Sequence, residues 1–252
     1  MGISYNPSIV SSGLVLCLDA ANPRSYSGSG TTWTDLSGNG NNATKQGTAA
    51  LATWNSAGYF EHRPANYFGA ADAGSFAPDS GGCWWQVTHA SSLSPNAGFW
   101  TVAGWVKVIG DQSGNGVGWF HKAGSPDERG IHLEPYAGEI RANGSSGWNA
   151  ILYNINNSSV WANFCFVFTQ TSGTYGTNSG NLKFYLNGSQ VAENTAFTPV
   201  IDSGQPIYLG RRNGHFRHFI NADIANYFYY TKSLSATEVL QNYNATRSRF
   251  GL

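Results

Sequence analysis

The chain has 252 residues, with 14 basic and 14 acidic side chains and a hydrophobic fraction of 41%. Lys and Arg form no run, so there is no electrostatic footprint for nucleic acid or an anionic membrane, and no apolar stretch approaches the ~20 residues of a membrane span. Charged residues at 11%, aromatics at 14%, and 31 Gly with 9 Pro exclude a disordered chain and point to a turn-rich all-β protein.

Short apolar runs closed by Gly, Asn, Ser or Pro follow one another along the chain, the pattern of a β-sandwich rather than of alternating strands and helices. The spacing predicts strands at 13–19, 66–69, 83–88, 99–108, 116–122, 130–134, 139–142, 150–154, 163–170, 181–188, 206–210 and 223–231. Twelve such runs suit two packed antiparallel sheets. Side chains alternate faces along a strand, so Phe164, Phe166 and Phe168 share one face. Leu182, Phe184 and Leu186 share another, opposite Lys183, Tyr185 and Asn187, and both apolar rows are predicted core. Asn187-Gly188 supplies the two positive-φ residues of a tight hairpin turn before "SQVAEN". One segment departs from strand periodicity. "LSATEVLQNYNA" carries a capping box, Ser235 with Glu238, and apolar Val239, Leu240 and Tyr243 at helical spacing. No repeat or shift in composition marks a boundary, so residues 1–252 are expected to form a single domain.

The order of segments resembles the laminin-G-like, concanavalin A-like jelly roll. "FWTVAGWVKV", "WANFCFVFTQ", "NLKFYLNGSQVAEN", "PIYLGRRNG" and "NADIANYFYYTKSLSATEVLQNYNA" match its successive strands and closing helix, and "GLVLCLDA" with "WTDLSGNGNN" matches its opening. The likeness covers about residues 13–246. It implies a two-sheet antiparallel β-sandwich with one short C-terminal helix, face-to-face sheets and neighbouring termini. The family holds lectins, adhesion modules, glucanases and virion proteins, so the fold does not fix the function. The start at Met1, the "LDAANPRSYSGSGTTWTDLSGNGNN" opening and the closing "NYNATRSRFGL" are similar in layout to structural proteins of tailed bacteriophages.

The loop "TDLSGNGNN" places Asp35, Ser37, Asn39 and Asn41 at alternate positions, which could turn oxygens inward around a structural calcium. The resemblance adds Asp223, on the last long strand, as a further ligand. Asn and Gly also form such turns without metal, so both readings stand. Two-carboxylate glycoside hydrolysis needs acids about 5 to 10 Å apart, and no E-x-D-x-E run exists; Asp127-Glu128 sit in a loop, and Glu134 and Glu139 flank a turn. His215 and His218 in "HFRH" lack a carboxylate or Cys partner for a metal site. Cys17, Cys83 and Cys165 read as buried thiols. Trp84, Trp85, Trp119 and Trp148 could stack on sugar rings or serve as core or interface residues. The adjacent Trp84 and Trp85 must point to opposite faces of a strand.

The expectation from sequence is a non-enzymatic virion structural protein of a tailed phage, a head decoration or tail or fibre component. It is expected to be made in the host cytoplasm and displayed on the virion surface. It would dock to capsid or tail proteins and to copies of itself, with calcium as the one candidate cofactor. The alternatives are a carbohydrate-binding receptor or adhesion module recognising host surface glycan, and a glucanase-like hydrolase.

Overall fold

The computed structural model describes residues 8–47, 52–63, 82–94, 98–110, 118–124, 129–136, 139–144, 147–155, 159–173, 180–199, 204–212 and 219–252. The predicted strand at 66–69, the acids Asp127 and Glu128, and the histidines His215 and His218 lie outside the described residues.

Two antiparallel sheets form, with strands numbered in chain order. The first is built on β7 (Phe99–Val108). On one side stand β12 (Ala162–Gln170), β13 (Gly180–Leu186) and the edge strand β14 (Ser189–Phe197). On the other side β16 (Ala222–Ile224) and β17 (Asn226–Tyr230) lie end to end along β7. Outward from β16 come β5 (Tyr59–His62) and β4 (Ala52–Asn55), and outward from β17 comes β1 (Leu14–Asp19). The second sheet runs β11 (Gly147–Asn154), β10 (Glu139–Gly144), β9 (Arg129–Tyr136), β8 (Phe120–Gly124), β15 (Ile207–Leu209), β6 (Cys83–Val87), β3 (Ala43–Gly47) and β2 (Thr32–Trp33).

The Phe164/Phe166/Phe168 row and Leu182/Phe184 are buried between the sheets, with Leu186 half-buried at the margin. They meet Phe120, Leu133, Ile140 and Leu209 from the second sheet in one core cluster. The opposite face of the first sheet is covered as well. Cys17, Ala103, Cys165, Val167, Tyr185 and Phe228 form a second apolar layer, closed by Leu234 and Val239. Tyr185, assigned by alternation to the side away from the main core, is buried in this layer rather than in water.

The cover is α1 (Ala236–Thr246), whose capping box is formed as the sequence predicts: Ser235 Oγ accepts from Glu238 N–H, and Glu238 Oε2 accepts from Ser235 N–H. Val239 is buried under it, whereas Leu240 stays exposed and lies beside the Gly188 hairpin tip. The two ends of the domain are bonded together. Val10 N–H donates to Asn242 Oδ1 at 2.8 Å, and Tyr230 Oη donates to the Val10 carbonyl at 3.1 Å. No helix among the described residues is long and apolar enough to cross a membrane.

Sequence periodicity missed β2 to β5 and gave no separate strand for β14. These strands are short, as in "ATKQG" of β3, or lie at an edge with mixed exposure, as in β14, so they carry no apolar alternation. The predicted strand 223–231 is broken at Ala225 into β16 and β17. There the Asn226 side chain, not a backbone carbonyl, accepts from Trp105 N–H at 2.9 Å.

Candidate functional site: an aromatic shelf around Trp161

The Asp35 loop is stitched together by its own donors. Asp35 Oδ1 accepts from the N–H groups of Cys17 (2.8 Å) and Ser37 (2.9 Å), and Oδ2 accepts from Ser37 Oγ (2.7 Å) and Asn41 N–H (3.0 Å). A carboxylate has about four lone-pair sites, and four donors occupy them. The Asn41 amide donates to the Val15 carbonyl at 2.7 Å, and the Asn39 amide to Ser37 Oγ at 3.0 Å, so these side chains also serve the loop. Gly38 and Gly40 take φ of 89° and 72°, which lets successive residues turn back on Asp35.

Asp223 stands elsewhere. Its strand pairs with Glu61 and Lys107, whereas Asp35 bonds to Cys17, which is opposite Phe228. Along the unbroken β7, Asp223 stands opposite Lys107 and Phe228 opposite Ala103, four residues or roughly 13 Å apart. Asp223 Oδ1 is paired with Arg63 at 2.5 Å and Oδ2 with Lys107 at 2.8 Å. The proposed calcium ligands Asp35, Ser37, Asn39, Asn41 and Asp223 are therefore not brought together, and their donor set does not fit one cation.

Trp84, Trp85 and Trp119 are all buried and present no ring to a sugar. Trp85 and Trp119 face the core, Trp85 at 4.8 Å from Phe60 and Trp119 at 5.6 Å from Phe164. Trp84 points the other way, as two adjacent strand residues must, and is capped by the Arg211 guanidinium 4.1 Å over its ring and by Phe219. Trp148 lies on β11, but its side chain is outside the described residues. Burial pushes the Cys17 thiol up to about 12 and Cys83 to about 11, and all three cysteines are free and buried. Among the described residues no three of His, Cys, Asp or Glu gather as a metal site.

The half-exposed aromatics collect at a place the sequence reading did not single out. Trp161 follows the polar run "NINNSSV" and immediately precedes β12. Tyr59 meets it edge-on at 5.3 Å, Phe250 packs at 4.9 Å, and Lys107 Nζ stands 5.9 Å from its ring centre. Behind Phe250 lies Trp105 at 4.1 Å, nearly parallel and fixed by donation from its indole N–H to Thr246 Oγ1 at 2.7 Å. Burial, with the Asp223 and Glu61 carboxylates nearby, raises the Tyr59 phenol above its ordinary pKa. The cations beside the shelf are paired with carboxylates, Arg63 and Lys107 with Asp223 and Arg249 with Asp19. A Trp in a polar loop at a strand start was the available signal.

A cavity of about 100 Å³ lies on the core-facing side of the first sheet, the side away from the shelf, with Trp161 among its lining residues. Val106, Val108, Phe164 and Leu186 form its floor, and Ile155, Val160 and Asn187 its rim. Glu61 and Asp223 sit directly opposite each other across β5 and β16, a carboxylate pair that no run along one strand announces. Asp223 is only 2% exposed and both its oxygens are held by cations, so it cannot reach a substrate atom as a nucleophile or proton donor.

Solved structures share the fold at low identity. Sialidase of Trypanosoma rangeli in complex with 2,3-difluorosialic acid is 12% identical with a TM-score of 0.63, over 94% of this chain and 34% of that one. The botulinum neurotoxin serotype D binding domain is 15% identical with a TM-score of 0.56, over 94% and 53%. A botulinum neurotoxin type C structure, whose cell entry depends on interaction with two ganglioside molecules, is 14% identical with a TM-score of 0.59, over 92% and 51%. The chain thus spans about a third to a half of these proteins. No curated protein matches it in sequence. The Concanavalin A-like lectin/glucanases superfamily matches residues 79–240, more than half of the chain, and those residues carry β6 to β17 and the start of the helix. With two stacked antiparallel sheets closed by a capped C-terminal helix, the chain belongs to the concanavalin A-like lectin/glucanase superfamily.

Proposed function

We propose that the domain is a non-catalytic carbohydrate-recognition module that holds a neutral glycan on the Trp161 shelf. The observation that carries this is the half-exposed Trp161–Tyr59 pair, with Phe250 beside it, on the outer face of the first sheet. Sugar rings offer apolar C–H faces to such rings and hydroxyls to a polar rim. The Arg63, Lys107 and Arg249 cations near the shelf are each paired with a carboxylate, which fits a neutral ligand better than an anionic one. Two of the structural relatives are described with a sialic acid derivative or gangliosides, which is consistent with sugar recognition on this fold.

The test is a glycan array followed by calorimetry on Trp161→Ala and Tyr59→Ala. Removing a stacked ring is expected to weaken binding about tenfold or more, with the circular dichroism spectrum unchanged. An array without hits, or hits indifferent to Trp161, removes this reading. Sugar release from a polysaccharide, lost on Glu61→Gln, would replace it with a hydrolase.

A second reading places the domain on a phage particle as a structural subunit docked to other virion proteins. Its support is the low charge, 11% of residues, which lowers the desolvation cost of docking. Mass spectrometry of purified particles would find the chain in stoichiometric copies if this setting is right. Sugar binding and particle docking are compatible in one chain.

A further inference from the structure

We propose that Asn39 is a site of spontaneous covalent modification: it loses its side-chain amide through a cyclic imide formed with the Gly40 nitrogen, and this change opens the Asp35 loop. The chemistry needs only water. The Gly40 backbone nitrogen gives its proton to hydroxide and bonds to Asn39 Cγ. The Cγ–Nδ2 bond breaks, and Nδ2 takes a proton from water and leaves as ammonia. Water then adds to one of the two imide carbonyls and breaks its bond to nitrogen. Attack at Cγ leaves aspartate, and attack at the Asn39 main-chain carbonyl leaves isoaspartate.

Two Asn–Gly pairs lie among the residues whose side chains are described, Asn39–Gly40 and Asn187–Gly188, and their settings differ. The attack needs a free backbone nitrogen and a carboxamide able to turn toward it. Asn39 and Gly40 are both exposed, and among the described residues Gly40 N–H donates to nothing. The Asn39 amide is held only through Nδ2, which donates to Ser37 Oγ at 3.0 Å and to the Leu14 carbonyl at 3.3 Å. A Cβ placed on Gly40 would meet no atom within 4 Å, so nothing obstructs ring closure there. Asn187 is clamped instead: its Oδ1 accepts from Asn163 N–H at 2.8 Å, and its own N–H donates to the Asn163 carbonyl at 3.0 Å. A Cβ on Gly188 would stand 3.0 Å from the Tyr243 ring. Asn187 must therefore break a hydrogen bond and open its hairpin before it can cyclise.

The modified residue stands between two of the donors on Asp35. The N–H groups of Ser37 and Asn41 reach that carboxylate from either side of position 39, at 2.9 and 3.0 Å. Isoaspartate inserts an extra atom into the main chain between them and so spoils the spacing that lets both converge. Either product also replaces the Nδ2 donor with an acceptor, which removes the bond to the Leu14 carbonyl on β1 and adds negative charge to the loop.

The experiment incubates the protein in mildly alkaline buffer, folded and in urea, and follows Asn39 and Asn187 by peptide mapping with mass spectrometry. In urea the two sites are expected to convert at comparable rates. In the folded protein Asn39 is expected to convert about tenfold faster than Asn187 or more. Comparable rates at the two sites in the folded protein overturn the assignment of Asn39. The parent is also expected to develop a population melting several degrees lower, in step with the converted fraction. Asn39→Gln, whose cyclisation needs a larger ring, should keep its melting temperature through the same incubation. Conversion of Asn39 with no such population, or the same population in Asn39→Gln, overturns the opening of the loop.

Discussion

Asp35 and Asp223 are both buried carboxylates, and the family resemblance assigned them to one calcium, yet the protein holds them by opposite means. Asp35 is satisfied by neutral donors from its own loop and from β1, whereas Asp223 is satisfied by two cations from neighbouring strands. The first is a local device written in a few residues of "TDLSGNGNN"; the second exists only once β5, β7 and β16 have paired. A buried charge needs partners, and either dipoles or counter-charges will serve. The difference predicts different responses to mutation, acid and salt.

The largest effect is expected at Asp35. Asp35→Ala strands the N–H groups of Cys17 and Asn41 in buried surroundings and removes the hydroxyl contact of Ser37. Leaving buried donors unpaired costs about 3 to 5 kcal/mol for a set of this size. Thermal denaturation is expected to show Tm lower by about 10 °C for a domain of this length. Ser37→Ala, which removes one of the four donors, should cost far less.

Next comes the Asp223 neighbourhood in acid. His62 precedes Arg63, is fully buried, and has Nδ1 3.3 Å from the Cys83 carbonyl; burial lowers its pKa from 6.5 to about 4. The unfolded chain takes up this proton near pH 6.5 and the folded one only near 4, so folding stability falls as pH drops through that window. The loss accumulates to about 3 kcal/mol at the low end. Hydrogen exchange at pH 5 should report loosening in β5 and β16. In His62→Gln, this part of the pH dependence between 6.5 and 4 should flatten.

The two regions also differ in how much could be read in advance. The core rows Phe164/Phe166/Phe168 and Leu182/Phe184, the capping box and the Asn187-Gly188 hairpin were legible because each is local and periodic. The Asp35 loop was visible as a pattern, but whether its oxygens face a metal or the loop's own N–H groups depends on where β1 passes, which sequence spacing does not encode. For the aromatic candidates the core alternative holds, and the exposed ring lies elsewhere. Trp84 and Trp85 sit in β6 and Trp119 just before β8, all three buried by neighbours from other strands, whereas Trp161, just before β12, is half-exposed. The pairing of Glu61 with Asp223 is a contact between strands more than 150 residues apart in sequence, and no motif marks it.

A smaller effect is expected from Asp223→Asn. The substitution leaves Arg63 and Lys107 without their shared counter-charge, but these side chains are 41% and 28% exposed and recover some hydration. The cost is about 2 kcal/mol, below the value for a fully buried pair. Chemical denaturation with urea at low and high salt separates the regions. The difference between Asp223→Asn and the parent should shrink as salt screens the pair, while the Asp35→Ala difference should hold.

The smallest effect is the response to chelation, and it decides how the Asp35 loop works. A cation bound to the folded state at a hundred times its dissociation constant would add about 2.7 kcal/mol, several degrees in Tm. With four donors on the Asp35 carboxylate and Asp223 roughly 13 Å along the sheet from the Cys17 register, the loop's negative charge is already spread over N–H and O–H dipoles. A calcium could enter only by displacing those donors and stranding them. The melting temperature is therefore expected to be the same in millimolar calcium and in EDTA. A rise with calcium that Asp35→Asn abolishes would show that the loop reorganises around a metal, and the contrast between dipole-held and cation-held carboxylates would fail at its first member.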